Sequence, residues 1–202
     1  MNNKTEIILF VDRSGSMYSI LKDAQGGLDN YLDEQQKVPG ECNVTIIAFD
    51  TGYEVPVNCV PISEAAYRID PRGGTALYDA LGRGINEVGV RLSNMPESER
   101  PNNVLVAIIT DGQENASREY TSTQVKDMIE HQTSKYGWVF TYLGANQDAF
   151  HESASIGISA GQTLNYVGPK SMEAYSAMSK STTALRSGES FSYSDNDRNS
   201  AI

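Results

Sequence analysis

Three continuous apolar runs interrupt an otherwise mixed pattern of hydrophobic and polar positions, at residues 7–11, 104–109 and 138–143. Each run is rich in β-branched or aromatic residues, and each is followed by glycine or polar residues and then by a segment with helical periodicity. Runs of this length indicate strands that are buried on both faces of a parallel sheet. The repeated β-α order predicts right-handed crossovers and an α/β fold.

A different element lies between the first two runs. Residues 43–49 and 53–60 predict two strands joined by a tight turn, so this pair is expected to be antiparallel. Pro56 cannot donate to a strand ladder, which places the second strand of the pair at a sheet edge. With a short strand at residues 163–167, the pattern predicts a Rossmann-like, open, mostly parallel six-stranded sheet with one antiparallel edge strand and helices on both faces.

Helices are predicted between these strands, at residues 18–36, 76–92, 123–134, 147–156 and 169–186. The last of them carries an apolar stripe at i, i+3 spacing, which favours core packing: Met172, Tyr175, Met178, Thr182 and Leu185. Residues 187–202 are rich in serine and asparagine and contain little apolar surface, so we expect a flexible tail. The domain is therefore predicted to span residues 1–186.

The charge balance limits the classes of partner. The chain has 26 acidic and 16 basic residues and a net charge of −10, with no basic run interleaved with aromatic residues. Such a surface repels nucleic acid and anionic membranes. No apolar segment approaches the roughly 18 residues of a transmembrane helix, and the first apolar run is too short for a signal peptide. A cytoplasmic location is the resulting expectation.

Cys42 and Cys59 are the two cysteines of the chain, and their spacing does not suit a zinc site. If the hairpin pairs Phe49 with Gly52, the two cysteines face each other and a cross-strand disulfide can form. Two reduced cysteines are the other interpretation, which the expected cytoplasmic location favours.

Oxygen-bearing side chains follow the first two buried runs. Asp12, Ser14 and Ser16 occupy alternate positions where the first strand ends, and Asp111 follows the second buried run. Open α/β sheets bind ligands at the carboxyl ends of their strands, so these residues are expected to meet there. If the two strands are neighbours, Asp12 and Asp111 emerge about 4.8 Å apart.

Thr75 follows two glycines at the start of a predicted helix and supplies one more hydroxyl. Carboxylate and hydroxyl oxygens are hard donors that suit Mg²⁺, Mn²⁺ or Ca²⁺. Each piece also has a simpler interpretation, because Asp12, Ser14 and Thr75 can cap helices and Asp111 can belong to a turn. The convergence of all the pieces favours a metal site.

The order Asp-x-Ser-x-Ser, Gly-Gly-Thr and Thr-Asp-Gly resembles the metal-ion-dependent adhesion site of von Willebrand factor A domains. The resemblance covers about residues 4 to 186 and extends to compact, stand-alone domains of prokaryotes and their phages. It implies that Ser14 and Ser16 bind the cation directly and that Thr75 binds it directly or through water. Asp12 and Asp111 are then expected to act mainly through water, and the preferred cation is Mg²⁺.

The resemblance implies a protein interaction module rather than an enzyme. A partner's Asp or Glu side chain is expected to fill the open position on the metal, in the assembly of an intracellular complex. An aspartyl phosphatase would need a second carboxylate where Ser14 stands, and a serine hydrolase would need a histidine beside its nucleophile. A metal-dependent hydrolase acting on a phosphoester is the alternative, because a bound cation can activate water.

Overall fold

A computed structural model describes residues 4–202 as one six-stranded sheet in the order β3-β2-β1-β4-β5-β6. All neighbouring strands are parallel except β2 and β3, which form an antiparallel hairpin at one edge. The predicted sheet and its antiparallel edge strand are therefore confirmed. The strands are β1 (Lys4–Asp12), β2 (Glu41–Phe49), β3 (Tyr53–Pro61), β4 (Asn103–Thr110), β5 (Val139–Ala145) and β6 (Thr163–Tyr166).

Helices cover both faces of this sheet, as predicted. Residues of α1 and α5 belong to the core on one face, and residues of α2, α3 and α4 belong to the core on the other. None of the helices within residues 4–202 is long and apolar enough to cross a membrane. The helices are α1 (Leu21–Gln36), α2 (Leu77–Asn94), α3 (Ser122–Tyr136), α4 (Ala149–Ser155), α5 (Ser171–Arg186) and α6 (Asp195–Ser200).

The apolar runs are continuous because β1 and β4 lie in the middle of the sheet. Ile7 and Leu9 of β1 point into the α1/α5 core, whereas Ile8 and Phe10 point into the core on the other face. Successive side chains of a strand alternate between faces, so a central strand needs apolar residues at every position. Asp12 follows the apolar run of β1 and places a fully buried carboxylate at the end of that strand.

Two helix starts differ from the prediction. The segment expected to begin a helix at residue 18 instead forms a 3-10 turn over Gly15–Ser19, and α1 begins at Leu21. A second 3-10 turn, Gly168–Lys170, precedes α5. Met172 was predicted to be part of the buried stripe of the last helix, but its side chain is 49% exposed. The reason is its place on the exposed face of α5, which continues through Ser176 and Lys180 at intervals of four residues.

Cys42 and Cys59 are both free thiols. The hairpin register assumed for a disulfide is wrong, because Phe49 pairs with Tyr53 instead of Gly52, and two irregularities between Val44 and Ala48 shift the pairing of β2 with β3 further. Asn43 consequently pairs with Pro61, which carries Cys59 past the position opposite Cys42. Cys42 packs in the α1/α5 core, and Cys59 accepts a hydrogen bond from Nη1 of Arg91 at 3.2 Å.

Residues 187–202 do not form the loose tail that their composition suggested. Phe191, Tyr193 and Ala201 are buried in the α1/α5 core, and the segment ends in helix α6. The hydroxyls of Tyr193 and Thr141 are hydrogen-bonded at 2.8 Å, and the N–H of Val167 donates to the carbonyl of Ala201 at 3.0 Å. Two well-placed aromatic side chains are enough to anchor a segment that is polar on average.

Candidate metal centre

The carboxyl ends of β1 and β4 bring the first polar groups together. Val11 pairs with Ile109, so Asp12 lies beside Thr110, the last residue of β4. The Thr110 hydroxyl donates to Oδ2 of Asp12 at 2.5 Å, and both side chains are fully buried. Strands β1 and β4 are thus neighbours, and this is the arrangement in which Asp12 and Asp111 were expected to lie close together.

The turn after β1 arranges the two serines in a line towards Asp111. The N–H of Ser14 donates to Oδ1 of Asp12 at 2.6 Å, which bends the chain. The hydroxyls of Ser14 and Ser16 are 3.0 Å apart, and the Ser16 hydroxyl donates to Oδ1 of Asp111 at 2.6 Å. Ser14 does not cap the following 3-10 turn with its side chain. The capping interpretation of this serine is therefore not supported.

Gly112 shows that Thr75 completes the same cluster. A Cβ atom added to Gly112 would lie 3.0 Å from Oγ1 of Thr75 and 3.3 Å from Oγ of Ser16. It would also lie 3.7 Å from Oδ2 of Asp12. Oxygen atoms from three separate segments thus surround one point, and the residue that approaches them carries no side chain. The structure brings together all of the residues that the sequence singled out, and we call this cluster the oxygen cup.

The loop that carries Thr75 is held by hydrogen bonds to main-chain atoms of the loop. The N–H of Gly15 donates to the carbonyl of Gly73 at 3.1 Å, and Gly73 has a φ of 66° that favours glycine. On the other side, Asn115 accepts from the N–H of Thr75 at 3.0 Å through its side-chain oxygen. Asn115 therefore helps to hold this loop in place.

The N-terminus of α2 is capped from a different loop. Oε2 of Glu114 accepts from the N–H of Tyr78 at 3.0 Å, and the Ser117 hydroxyl accepts from the N–H of Asp79 at 3.1 Å. Thr75 makes no such capping bond, and the residue at the N-cap position is Ala76. The helix is therefore capped without the Thr75 hydroxyl, which leaves that hydroxyl available to the cup.

Arg13 lies between the cup residues in the sequence, but it points away from them. Its guanidinium donates to Oδ2 of Asp50 at 2.9 Å and to Oε2 of Glu54 at 2.6 Å, and the residue is 4% exposed. Arg72 reaches the same two carboxylates at 3.0 Å each. This ion network joins the turn after β1, the β2–β3 hairpin and the loop before Thr75. No sequence signal beyond its place in the motif indicated that Arg13 would be buried.

The cup brings together two carboxylates, of which Asp12 is buried and Asp111 is partly buried. Burial raises the pKa of Asp12 to about 6, the hydrogen bonds from Thr110 and Ser14 oppose this rise, and the charge of Asp111 adds to it. Burial also raises the pKa of Asp111. Neither carboxylate forms an ion pair with any residue of the described chain. Buried charges in proteins are normally paired or bound to metals.

The donor set is one of hard oxygens. Three hydroxyls and two carboxylates meet, and across residues 4–202 there is no cluster of three or more His, Cys, Asp or Glu side chains. Ser14 and Thr75 are buried, whereas Ser16 and Gly15 are exposed, so the cup opens to solvent beside Ser16. The residues therefore fit a small divalent cation with one open side.

The histidines do not complete a catalytic arrangement with these serines. His131 lies on α3 and packs edge-on against Tyr136, and His151 is exposed on α4. Among the described residues, neither imidazole is hydrogen-bonded to Ser14 or Ser16. Among the described residues, the site therefore lacks the hydrogen-bonded serine and histidine of a serine hydrolase.

Solved structures share this fold at low sequence identity. Proximal thread matrix protein 1 from the mussel byssus is 16% identical with a TM-score of 0.62, and the match covers 91% of this chain and 46% of that chain. The vWF domain of the type V pili tip protein Mfa5 from Porphyromonas gingivalis is 8% identical with a TM-score of 0.64, covering 92% of this chain and 97% of that one. The chain thus spans less than half of the mussel protein but nearly the whole of the pilus domain.

Two similar structures contain metal. The manganese-loaded TRAP protein of Plasmodium vivax is 14% identical with a TM-score of 0.60, and the match covers 85% of this chain and 71% of that chain. Another structure of the mussel protein, 17% identical with a TM-score of 0.56 and covering 90% of this chain and 45% of that one, has a zinc-occupied MIDAS motif. No protein-family model matches the sequence, and no curated protein matches it.

The fold of this chain is that of von Willebrand factor A domains. The predicted fold resemblance is therefore confirmed.

Proposed function

We propose that this protein is a divalent-cation-dependent protein interaction module. The observation that carries the proposal is the oxygen cup, in which the buried carboxylate of Asp12 and the partly buried carboxylate of Asp111 have no ion-pair partner among the described residues. The main-chain N–H of Ser14 and the hydroxyls of Ser14 and Ser16 link the two carboxylates. A bound cation would compensate this charge, which the chain itself leaves uncompensated. The residues that would hold it are Asp12, Ser14, Ser16, Thr75 and Asp111.

The hydroxyls and carboxylates have different roles in this proposal. Ser14 and Ser16 would bind the cation directly, and Thr75 directly or through water, whereas Asp12 and Asp111 would act mainly through water. Mg²⁺ is the proposed cation, with Mn²⁺ or Ca²⁺ as alternatives, because all the donors are hard oxygens. The manganese-loaded TRAP protein and the zinc-occupied MIDAS motif of the mussel protein, which share this fold, support the proposal of a divalent cation.

The proposed ligand is an Asp or Glu side chain of a protein partner. A cation held mainly by neutral hydroxyls keeps much of its positive charge, and the exposed side of the cup at Ser16 gives a carboxylate access to it. A chain with a net charge of −10 would otherwise repel an acidic ligand, and a bound cation inverts the local field. Assembly of an intracellular complex is the proposed role, without nucleic acid or membrane, and the cytoplasmic location stays a prediction.

Cation titration of matched serine variants tests the metal part of the proposal. Ser16→Ala removes a cup hydroxyl, whereas Ser19→Ala removes an exposed serine hydroxyl from the same 3-10 turn. We expect calorimetry to show Mg²⁺ binding by the wild-type chain and by Ser19→Ala, and binding weakened by about ten-fold or more in Ser16→Ala. Equal binding by the two variants would contradict a metal role for the cup.

Partner capture tests the interaction part. The wild-type chain and both serine variants are used as bait in Mg²⁺ and in EDTA, and bound proteins are identified by mass spectrometry. The proposal requires a partner that is retained by wild type and Ser19→Ala in Mg²⁺ and is lost in EDTA and with Ser16→Ala. Metal-dependent turnover of a phosphoester, lost in Ser16→Ala, would instead favour the hydrolase alternative.

A further inference from the structure

A cavity of about 370 Å³ lies between α2 and α3, at the end of the sheet opposite the oxygen cup. It is lined by the second half of α2, by the end of α3 and by residues that precede or begin β4 and β5. Sites that bind small molecules have volumes of about 300–1,000 Å³. The cavity is therefore of a size that suits a small molecule.

The wall of the cavity is partly apolar and aromatic. Trp138 is buried and stacks on Phe140, with ring centroids 6.2 Å apart, and Tyr136 packs edge-on against His131 with centroids 5.7 Å apart. Val90 and Tyr136 are 61% and 56% exposed, and both border the cavity. Exposed apolar side chains beside a buried ring favour a ligand with a flat apolar body.

Arg100 supplies a positive charge that is held in place at this cavity. Its Nε donates to the carbonyl of Met95 at 3.1 Å, and its Nη2 donates to the carbonyl of Ser93 at 3.0 Å. Both carbonyls lie at the end of α2, so these bonds fix the guanidinium there. Arg100 forms no ion pair with any residue of the described chain, although Glu97 and Glu99 are close to it in the sequence. Its Nη1 also has no hydrogen-bond partner among these residues.

The other groups of the cavity add no negative charge. No Asp or Glu of the described chain lines it, although the whole chain has 26 acidic and 16 basic residues. The basic residues that line it are Arg100 and His131, and the ring N–H of Trp138 donates to no described residue. An arginine with free N–H groups can bind a carboxylate through two parallel hydrogen bonds. The cavity therefore combines an apolar wall with donors that suit an anion.

We propose that this cavity binds a small aromatic carboxylate. The ring of the ligand packs against Val90, Tyr136 and Trp138, and its carboxylate accepts hydrogen bonds from the guanidinium of Arg100. A cationic ligand is disfavoured, because no acidic side chain of the described chain lines the cavity. This inference goes beyond the proposed function and does not depend on it, since the cavity and the oxygen cup share no residue.

NMR titration of the isotope-labelled chain in EDTA tests this assignment with two flat probes of the same shape, cinnamate and its neutral amide, cinnamamide. Trp138 is the single tryptophan of the chain, so its indole N–H gives one signal that reports on the cavity. We expect cinnamate to shift this signal in a saturable way and to bind about ten-fold more tightly than cinnamamide. The reason is that only the carboxylate carries the charge that complements Arg100.

Variants of the cavity locate the charge that binds the probe. Arg100→Gln should lower the affinity for cinnamate by about ten-fold and leave the affinity for cinnamamide unchanged. Arg118→Gln is the matched control, because it removes an exposed arginine that does not line the cavity. Val90→Glu places a carboxylate at an exposed position on the cavity rim, where it should repel cinnamate. Ser16→Ala, which alters the oxygen cup, should bind cinnamate as the wild type does.

Several outcomes would overturn the assignment of the cavity. It fails if cinnamate causes no saturable shift of the Trp138 signal in the wild type, or if cinnamate and cinnamamide bind equally well. It also fails if Arg100→Gln keeps the wild-type affinity, or if Arg118→Gln loses as much. Urea unfolding shows whether Arg100→Gln is folded, and if it is not, unchanged cinnamate binding by Val90→Glu is the contradicting result. An absence of Mg²⁺ binding by the wild type overturns the proposed function alone.

Discussion

Asp12→Asn should stabilise the protein in the absence of a cation while abolishing cation binding. The substitution keeps the shape of the side chain, and its oxygen can still accept from the N–H of Ser14. Thr110 can turn its hydroxyl hydrogen from Asp12 to the carbonyl of Gly112, which lies 3.1 Å away, and then accept from the new amide. The variant therefore removes a buried charge without leaving a neighbouring polar group unpaired.

The size and sign of the effect follow from the pKa of Asp12, which burial raises from 3.8 to about 6. A rise of about two units corresponds to about 3 kcal/mol of unfolding free energy lost when the carboxyl group is ionised. Below about pH 4 the group is protonated in both the folded and the unfolded chain, so the variant has no electrostatic advantage there. The advantage should grow as the pH rises towards 6 and be complete above it.

Urea unfolding in EDTA between pH 4 and pH 8 measures the difference in unfolding free energy between Asp12→Asn and the wild type. Titration of the same samples with Mg²⁺ then measures how far the cation stabilises each of them. A ligand at 100 times its dissociation constant stabilises the wild type by about 2.7 kcal/mol, whereas the variant should not respond. The reasoning is refuted if Asp12→Asn is less stable than the wild type in EDTA at pH 8. It also fails if the stability difference is the same at every pH.

Two further predictions concern the scaffold of the cup. Arg13→Ala should lower the free energy of unfolding by about 3 kcal/mol, because it leaves the buried carboxylate of Asp50 with fewer partners, whereas Arg72→Ala, at a half-exposed position, should cost less than about 1 kcal/mol. Equal effects in chemical denaturation would argue against the buried part of the ion network. Deleting residues 189–202 should lower the melting temperature by more than about 10 °C, because the buried side chains of Phe191 and Tyr193 are lost. A melting temperature that does not move would favour the loose-tail prediction instead.

Most of the fold could be predicted because the signals for it are local and repeated. Continuous apolar runs in β1 and β4 indicate strands buried on both faces, and Pro56 indicates the edge position of β3. The cup was predictable for a related reason. Strand ends fix where Asp12 and Asp111 emerge, and the motif spacing then places the serines between them.

The errors came from long-range packing that local pattern does not encode. The polar composition of residues 187–202 hid Phe191 and Tyr193, whose burial depends on a surface offered by distant parts of the chain. The disulfide register failed because the turn pairs Phe49 with Tyr53 instead of Gly52, and irregularities in the β2–β3 pairing then shift the partners further without a clear sequence signal. Met172 is three residues before the buried Tyr175, but it lies at the border of the apolar stripe and shares the exposed face of α5 with Ser176 and Lys180.

The direction of Arg13 explains why the carboxylates of the cup have no ion-pair partner in the described part of the chain. This arginine follows Asp12 immediately, yet its main chain bonds to Phe49 and its guanidinium to Asp50, both on the β2 side of β1. Asp12 turns the other way, towards Thr110 on the β4 side. The Arg13 guanidinium forms its ion pairs with the β2–β3 hairpin. It therefore stabilises the loops around the cup but does not neutralise the carboxylates of Asp12 and Asp111. The ion-paired loops around the cup and the unpaired carboxylates inside it therefore follow from the opposite directions of two successive side chains, Asp12 and Arg13, at the end of β1.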